Sequence, residues 1–153
     1  MILSKNKKIR IAVVGCGRIS KNHFNSIKIH QNNIELISIC DINPKVLSQC
    51  ERQHNVKGYL DLGRMLDSEN LDLVAICTPS GIHADQAEMC AGHGVNVMTE
   101  KPMATRWDDG LRMVKVCDNA GVRLFVIKQN RKNSTLQLLK RAISEKRFGK
   151  IHM

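Results

Sequence analysis

Between Ile9 and Asp41 the chain reads as one unit of strand, glycine turn, helix, strand and acid. An apolar run (Ile11, Ala12, Val13, Val14) enters Gly15-Cys16-Gly17-Arg18-Ile19-Ser20. A helical pattern follows, and a second apolar run (Ile34, Leu36, Ile37, Ile39, Cys40) stops at Asp41. This order is the layout of a dinucleotide site in a doubly wound parallel sheet. Gly15 permits the tight turn, and Gly17 leaves out the side chain that would block a pyrophosphate. The helix start, at Arg18 and Ile19, offers free N–H groups and the positive end of its dipole to that anion. Asp41 can accept hydrogen bonds from both hydroxyls of an adenosine ribose.

Two glycines alone also suit a plain surface turn; the flanking strands and Asp41 argue against that. Ser20 stands where a third glycine is usual, and it is small enough for close helix–strand packing. Asp41 lies 26 residues after Gly15, slightly beyond the usual spacing of about 20, which one or two extra helical residues account for. A carboxylate here repels a 2′-phosphate, and no arginine follows in Ile42-Asn43-Pro44. The expected cofactor is therefore NAD rather than NADP, with Lys45 the one nearby cation that weakens the preference.

The same alternation continues along the chain. Strands are expected at 9–14, 34–40, 57–60, 72–77, 95–99 and 123–128, and helices at 18–30, 44–54, 61–68, 81–93, 105–120 and 133–147. Pro44 suits the first turn of its helix. Gly94 and Gly121 follow helical runs as C-terminal caps do, and Thr105 with Asp108 resembles a capping box with Asp in place of Glu. Strict β/α alternation predicts an α/β fold, a parallel sheet covered on both faces. Right-handed crossovers and the glycine turn at strand 1 then give the Rossmann-type strand order 3-2-1-4-5-6. The expected organisation is a basic N-terminal extension (1–8), the dinucleotide-binding domain (9–132), and a helix and opening strand (133–153) leading toward a further domain.

At 153 residues and 42% apolar content the chain can bury one real core. No apolar run approaches the roughly 20 residues that span a bilayer. The start, Met1 to Lys8, has no apolar stretch of the secretory kind, so the expected compartment is the cytoplasm, without membrane attachment. None of the six cysteines (Cys16, Cys40, Cys50, Cys77, Cys90, Cys117) forms C-x-x-C or another zinc-like pair, so reduced, buried cysteines and no metal are expected. Cys16, in the glycine turn, leaves a redox role open but without a partner. The net charge of +10 invites a nucleic-acid reading, yet no aromatic platform or binding signature accompanies it. Attraction for anionic nucleotides is the plainer account.

Ligands of an open parallel sheet bind beyond the carboxyl ends of its strands. Three polar motifs fall there: Cys77-Thr78-Pro79-Ser80-Gly81-Ile82-His83 after strand 4, Thr99-Glu100-Lys101-Pro102 after strand 5, and Lys128-Gln129-Asn130-Arg131 after strand 6. A lysine at a turn is ordinarily just solvated, and a histidine in a first helical turn is often only a cap. Their convergence from separate strand ends is what makes them candidates. Arg131 is equally compatible with meeting a substrate anion and with facing solvent.

Together, G-C-G-R-I, the aspartate ending strand 2, C-T-P-S-x-x-H and E-K-P make the chain similar to the Gfo/Idh/MocA oxidoreductases over roughly residues 9–153. The stretch Glu100 to Asp109, with Lys128 to Arg131, most resembles bacterial UDP-N-acetylglucosaminuronate 3-dehydrogenases, which act in making surface polysaccharide. The resemblance implies hydride transfer between a sugar carbinol and NAD. By that analogy Lys101 is the catalytic residue beside the reacting hydroxyl. Glu100 lies near the nicotinamide ribose, and Thr78, Pro79 and His83 line the path from adenosine to nicotinamide. Gln129 joins the cofactor-binding set. Pro102 fixes the turn, in a cis or trans bond that sequence does not determine.

Full members of that family add a second α/β domain that forms the sugar pocket, supplies a catalytic histidine and usually makes the homo-oligomer. Those 153 residues hold no counterpart of it. The expectation is a cofactor-binding half, inactive or nearly so by itself, whether through truncation, gene disruption or a deliberate cut. A stand-alone nucleotide-binding module without chemistry and a CoA-binding domain are the competing readings. Asp41 and E-K-P disfavour the latter.

Overall fold

The structure is a computed structural model that describes residues 7–150. Six strands form a single sheet: β1 (Ile9–Val14), β2 (Ile34–Cys40), β3 (Lys57–Tyr59), β4 (Leu73–Ile76), β5 (Asn96–Thr99) and β6 (Leu124–Val126). All pairings are parallel, in the order β3-β2-β1-β4-β5-β6. Between and after them run α1 (Ser20–Ile29), α2 (Pro44–His54), α3 (Leu62–Ser68), α4 (His83–Gly92), α5 (Trp107–Asn119) and α6 (Ser134–Ser144). The expected fold class and strand order are those observed.

Side-chain alternation along β1 divides the core in two. Ile11 and Val13 pack with Phe24 and Ile27 of α1 and Leu47 and Cys50 of α2. Ala12 and Val14 point the other way, into a layer with Met65 of α3, Ala87 and Cys90 of α4 and Met113 of α5. Strands buried on both faces explain why the sequence shows continuous apolar runs rather than alternation. Each large apolar side chain buried this way contributes about 1.5–3 kcal/mol. The small residues of α4 (Ala84, Ala87, Ala91) let it approach its neighbours closely. Arg112 of α5 adds a surface clamp, reaching Asp85 at 2.7 Å and Glu88 at 2.9 Å on α4 and Asp109 at 3.1 Å on its own helix.

Helix ends follow the local signals except at the starts of α4 and α5. Pro44 opens α2 behind Asn43, whose side chain accepts from the Lys45 and Val46 N–H groups. Gly94 and Gly121 are left-handed, with φ of 70° and 67°. Each sits in a paired C-terminal cap: Gly94 to Ala91 and Val95 to Cys90 after α4, Gly121 to Asp118 and Val122 to Cys117 after α5. The expected capping box at Thr105 and Asp108 is not formed. Helix α5 starts at Trp107, and Arg106 is its extended N-cap without a side-chain bond. Met103 and Ala104 pack against the core, and that holds the preceding loop extended past the predicted start. The helix expected from 81 is split into a 3₁₀ turn, Ser80–Ile82, and α4 proper. Strand β6 is three residues rather than six and, among the described residues, pairs with β5 alone.

Helix α6 begins at Ser134 with Asn133 as cap, but none of its residues is buried. Leu136, Leu138, Leu139 and Ile143 are exposed on it. Residues 1–6 and 151–153, which include most of the expected basic extension and the expected opening strand, lie outside the described residues.

Candidate functional site

The glycine turn is built by backbone contact. Gly15 has φ of +88°, and a Cβ there would meet the Cys77 carbonyl carbon at 2.8 Å and the Thr78 nitrogen at 2.9 Å. The ends of β1 and β4 thus touch through a residue that has no side chain. At Gly17 a Cβ would meet nothing within 4 Å, so the surface over the turn is open. Ser20 is fully buried under it, its hydroxyl donating to the Gly17 carbonyl at 2.7 Å. That is the close packing expected of a third glycine. No side chain caps α1 and its first turn holds no acid, so the helix start is free to receive an anion. Arg18 and Ile19 are exposed beside it.

Asp41 does more than end β2. Its Oδ2 accepts the Cys16 N–H at 2.7 Å, and its Oδ1 accepts the Asn43 N–H at 2.8 Å. The carboxylate therefore holds the glycine turn against the β2 end and still has lone pairs for ribose hydroxyls. The donors and acceptors here fit a dinucleotide: an open glycine turn, an uncapped helix start, and a carboxylate beside them.

The loop after β4 carries Thr78, half-buried, whose hydroxyl lies 2.5 Å from Gln86 Oε1, and Pro79, exposed. His83 differs from expectation. Its side chain is fully buried, with Nε2 2.9 Å from the Thr78 carbonyl and Nδ1 3.0 Å from the Thr99 hydroxyl and 3.2 Å from the Met103 carbonyl. His83 ties together the loops that follow β4 and β5 rather than presenting its ring to a ligand.

The loop after β5 carries Glu100 and Lys101. The Glu100 N–H donates to the Ile76 carbonyl at the end of β4, at 3.0 Å. Its carboxylate is buried, with Oε1 2.9 Å from His23 Nε2 and Oε2 accepting the Lys101 N–H at 3.2 Å. The Lys101–Pro102 bond is cis, and the Lys101 side chain is exposed. Gln129 and Arg131 lie, exposed, in a 3₁₀ turn (Gln129–Lys132) after β6. The glycine turn, Asp41, Thr78, Pro79, Glu100, Lys101 and Gln129 all follow the carboxyl ends of strands in one parallel sheet, and His83 is buried beneath the loops after β4 and β5. A cavity of about 970 Å³ along α2, β3 and α3, lined by Leu47, Tyr59 and Arg64, includes none of them. A second cavity, of about 440 Å³, is lined by Cys16, Gly17 and Ser20 of the glycine turn.

The described cysteines are free thiols, Cys16 half-buried and the rest buried. Burial, with Cys50 and Asp41 nearby, holds the Cys16 thiol far above its ordinary range. Burial first, then the Glu100 charge, pushes Cys77 up to about 12. Neither is a thiolate at neutral pH. Among the described residues no three His, Cys, Asp or Glu side chains are grouped to hold a metal, and no helix is long and apolar enough to cross a membrane.

Two features escaped sequence reasoning. Asn43 was readable as an N-cap before Pro44. His23 carried a fainter signal: it lies on the α1 stripe of Ser20, Phe24 and Ile27, where a polar side chain needs a partner.

An open parallel sheet with a glycine turn at β1 and an acid ending β2 defines a dinucleotide-binding Rossmann domain. Residues 9–128 match the family model described as "Oxidoreductase family, NAD-binding Rossmann fold" (GFO_IDH_MocA). The chain belongs to that family and is an NAD-binding domain. It is similar to the WlbA dehydrogenase of Bordetella pertussis, solved in complex with NADH and UDP-GlcNAcA. That likeness is 54% identity and a TM-score of 0.92, over 96% of this chain and 45% of that one. The WlbA dehydrogenase of Chromobacterium violaceum, also solved with NADH and UDP-GlcNAcA, is 51% identical with a TM-score of 0.92, over 100% of this chain and 45% of that one. The D-apiose dehydrogenase of Paraburkholderia graminis is 31% identical over 94% of this chain and 38% of its own length. The chain therefore spans less than half the length of these relatives.

Proposed function

We propose that this chain is the NAD(H)-binding part of a cytoplasmic dehydrogenase that oxidises a UDP-sugar uronate of the UDP-GlcNAcA kind, in surface-polysaccharide biosynthesis. One observation carries the reading: an exposed Lys101 follows β5, at the same end of the sheet as the open glycine turn after β1, in a chain 54% identical to a dehydrogenase crystallised with both NADH and UDP-GlcNAcA. Bound NAD would supply the hydride acceptor. Gly17 and the α1 start hold the pyrophosphate, Asp41 the adenosine ribose, and Thr78, Pro79 and Gln129 line the rest of the path. Glu100 faces the nicotinamide ribose. The Lys101 ammonium polarises the developing sugar alkoxide and helps move its proton. His83 serves by keeping the two loops rigid.

The chain covers 45% of each WlbA chain, and the sugar pocket is assigned to the part of such an enzyme that it does not cover. Positioning a substrate is worth roughly 7–11 kcal/mol of a reaction barrier. By itself the chain is therefore expected to bind NADH but not to turn over UDP-GlcNAcA. A version extended by a substrate domain should turn over, and Lys101→Met in it should lose kcat while keeping NADH affinity. Sugar-dependent NADH formation by the 153-residue chain alone, or full activity of the Lys101→Met enzyme, would refute these roles.

A further inference from the structure

His23 is the fourth residue of α1, on the stripe that faces the sheet. Its side chain is 10% exposed and that of Glu100 is 11% exposed, with Nε2 and Oε1 2.9 Å apart. An ionised carboxylate only accepts, so Nε2 carries the proton of this bond. The two residues are 77 apart in sequence and belong to opposite sides of the site. His23 rides on the helix that the glycine turn opens. Glu100 follows β5 and is anchored by its N–H to the end of β4. The pair thus bridges the end of β4.

Sheet order says which half of a dinucleotide that bridge meets. Asp41 and β2 lie on one side of β1, and β4 and β5 lie on the other. With the adenosine ribose at Asp41 and the pyrophosphate at the β1 turn, the remaining half extends over β4 and β5. We propose that His23 is a positioning residue for the nicotinamide half of the cofactor. It holds the Glu100 carboxylate in one orientation and fixes the start of the Glu100-Lys101 loop relative to the pyrophosphate-binding helix. Glu100 Oε2 in turn holds the Lys101 N–H, so the orientation passes to the backbone that carries the lysine. This inference rests on the NAD reading above.

The test compares NADH with ADP, which has the adenosine and pyrophosphate but neither the nicotinamide nor its ribose. Affinities are measured by calorimetry for the wild-type chain, His23→Leu and His23→Gln. His23→Leu leaves a buried carboxylate without its charge-assisted partner, and NADH should bind about tenfold more weakly, with ADP affinity unchanged. His23→Gln, whose amide still donates to Glu100, should recover most of the loss. His23→Asn, polar but too short to reach, replaces the leucine variant should that one not fold. Parallel losses of NADH and ADP affinity would mean a merely structural residue and overturn the proposal, as would unchanged NADH affinity in both non-donating variants. Wild-type chain that binds ADP but not NADH would overturn the NAD reading itself and this inference with it.

Discussion

Gly15 and Gly17 sit two residues apart in one turn, yet the structure gives them opposite sensitivities. At Gly15 an alanine would adopt φ near +88° and drive its methyl to 2.8 Å from the Cys77 carbonyl carbon. The left-handed backbone costs about 1–2 kcal/mol for a residue with a Cβ. The clash adds about 1–3 kcal/mol, because what it meets is strand-end backbone with no flexible side chain to yield. The sum, about 2–5 kcal/mol, is a large fraction of a typical 5–15 kcal/mol and should lower Tm by roughly 4–20 °C. At Gly17 the added methyl meets nothing within 4 Å and φ is not left-handed, so Gly17→Ala should stay within about 0.5 kcal/mol. Gly17→Val should fold as well, yet lose NADH, because its branched side chain fills the space a pyrophosphate needs. Urea denaturation followed by circular dichroism, with NADH titration of each folded variant, separates the two effects. Gly15→Ala as stable as wild type would refute the contact argument, and a folded Gly17→Val with wild-type NADH affinity would place the cofactor elsewhere.

Further outcomes follow from the same geometry. The wild-type chain should bind NADH more tightly than NADPH, and Asp41→Asn should narrow that gap by at least about fivefold, about 1 kcal/mol of charge repulsion. The asparagine oxygen can still accept the Cys16 N–H, so equal stability with an unchanged gap would remove Asp41 from cofactor choice. The exposed Leu136, Leu138, Leu139 and Ile143 of α6 should bind a hydrophobic dye or drive self-association. Leu139→Lys should reduce both, and a wild-type monomer without dye binding would count against an uncovered face. Burial raises the Cys77 and Cys90 thiols from 9.0 to about 12. Their stabilising effect is complete below pH 9 and is lost as pH climbs toward 12, because only the unfolded chain ionises early in that window. Thermal melts from pH 8 to 11 should show this decline, shallower in Cys90→Ala; a melt independent of pH would contradict the burial of these thiols.

What the sequence determined by itself is what depends on neighbours along the chain. Apolar runs separated by helical stripes set six strands and their helices. Gly15, Gly94 and Gly121 marked three of the places where the backbone turns left-handed, Pro44 marked a helix start, and the strand-helix alternation, right-handed crossovers and glycine turn at β1 together pointed to the sheet order. Glycine turn and Asp41 together named the cofactor class. Tertiary structure decided what those residues touch. Met103 entering the core moved the start of α5 past the Thr105 signal. His83, placed by sequence at a ligand path, is instead enclosed by the loops after β4 and β5. Asp41 is engaged by the Cys16 N–H before any ribose arrives. The His23–Glu100 pair joins residues 77 apart, which no local pattern can relate. Periodicity reports which face of an element is buried; only the crossovers that stack α1 beside the ends of β4 and β5 determine which polar groups meet there.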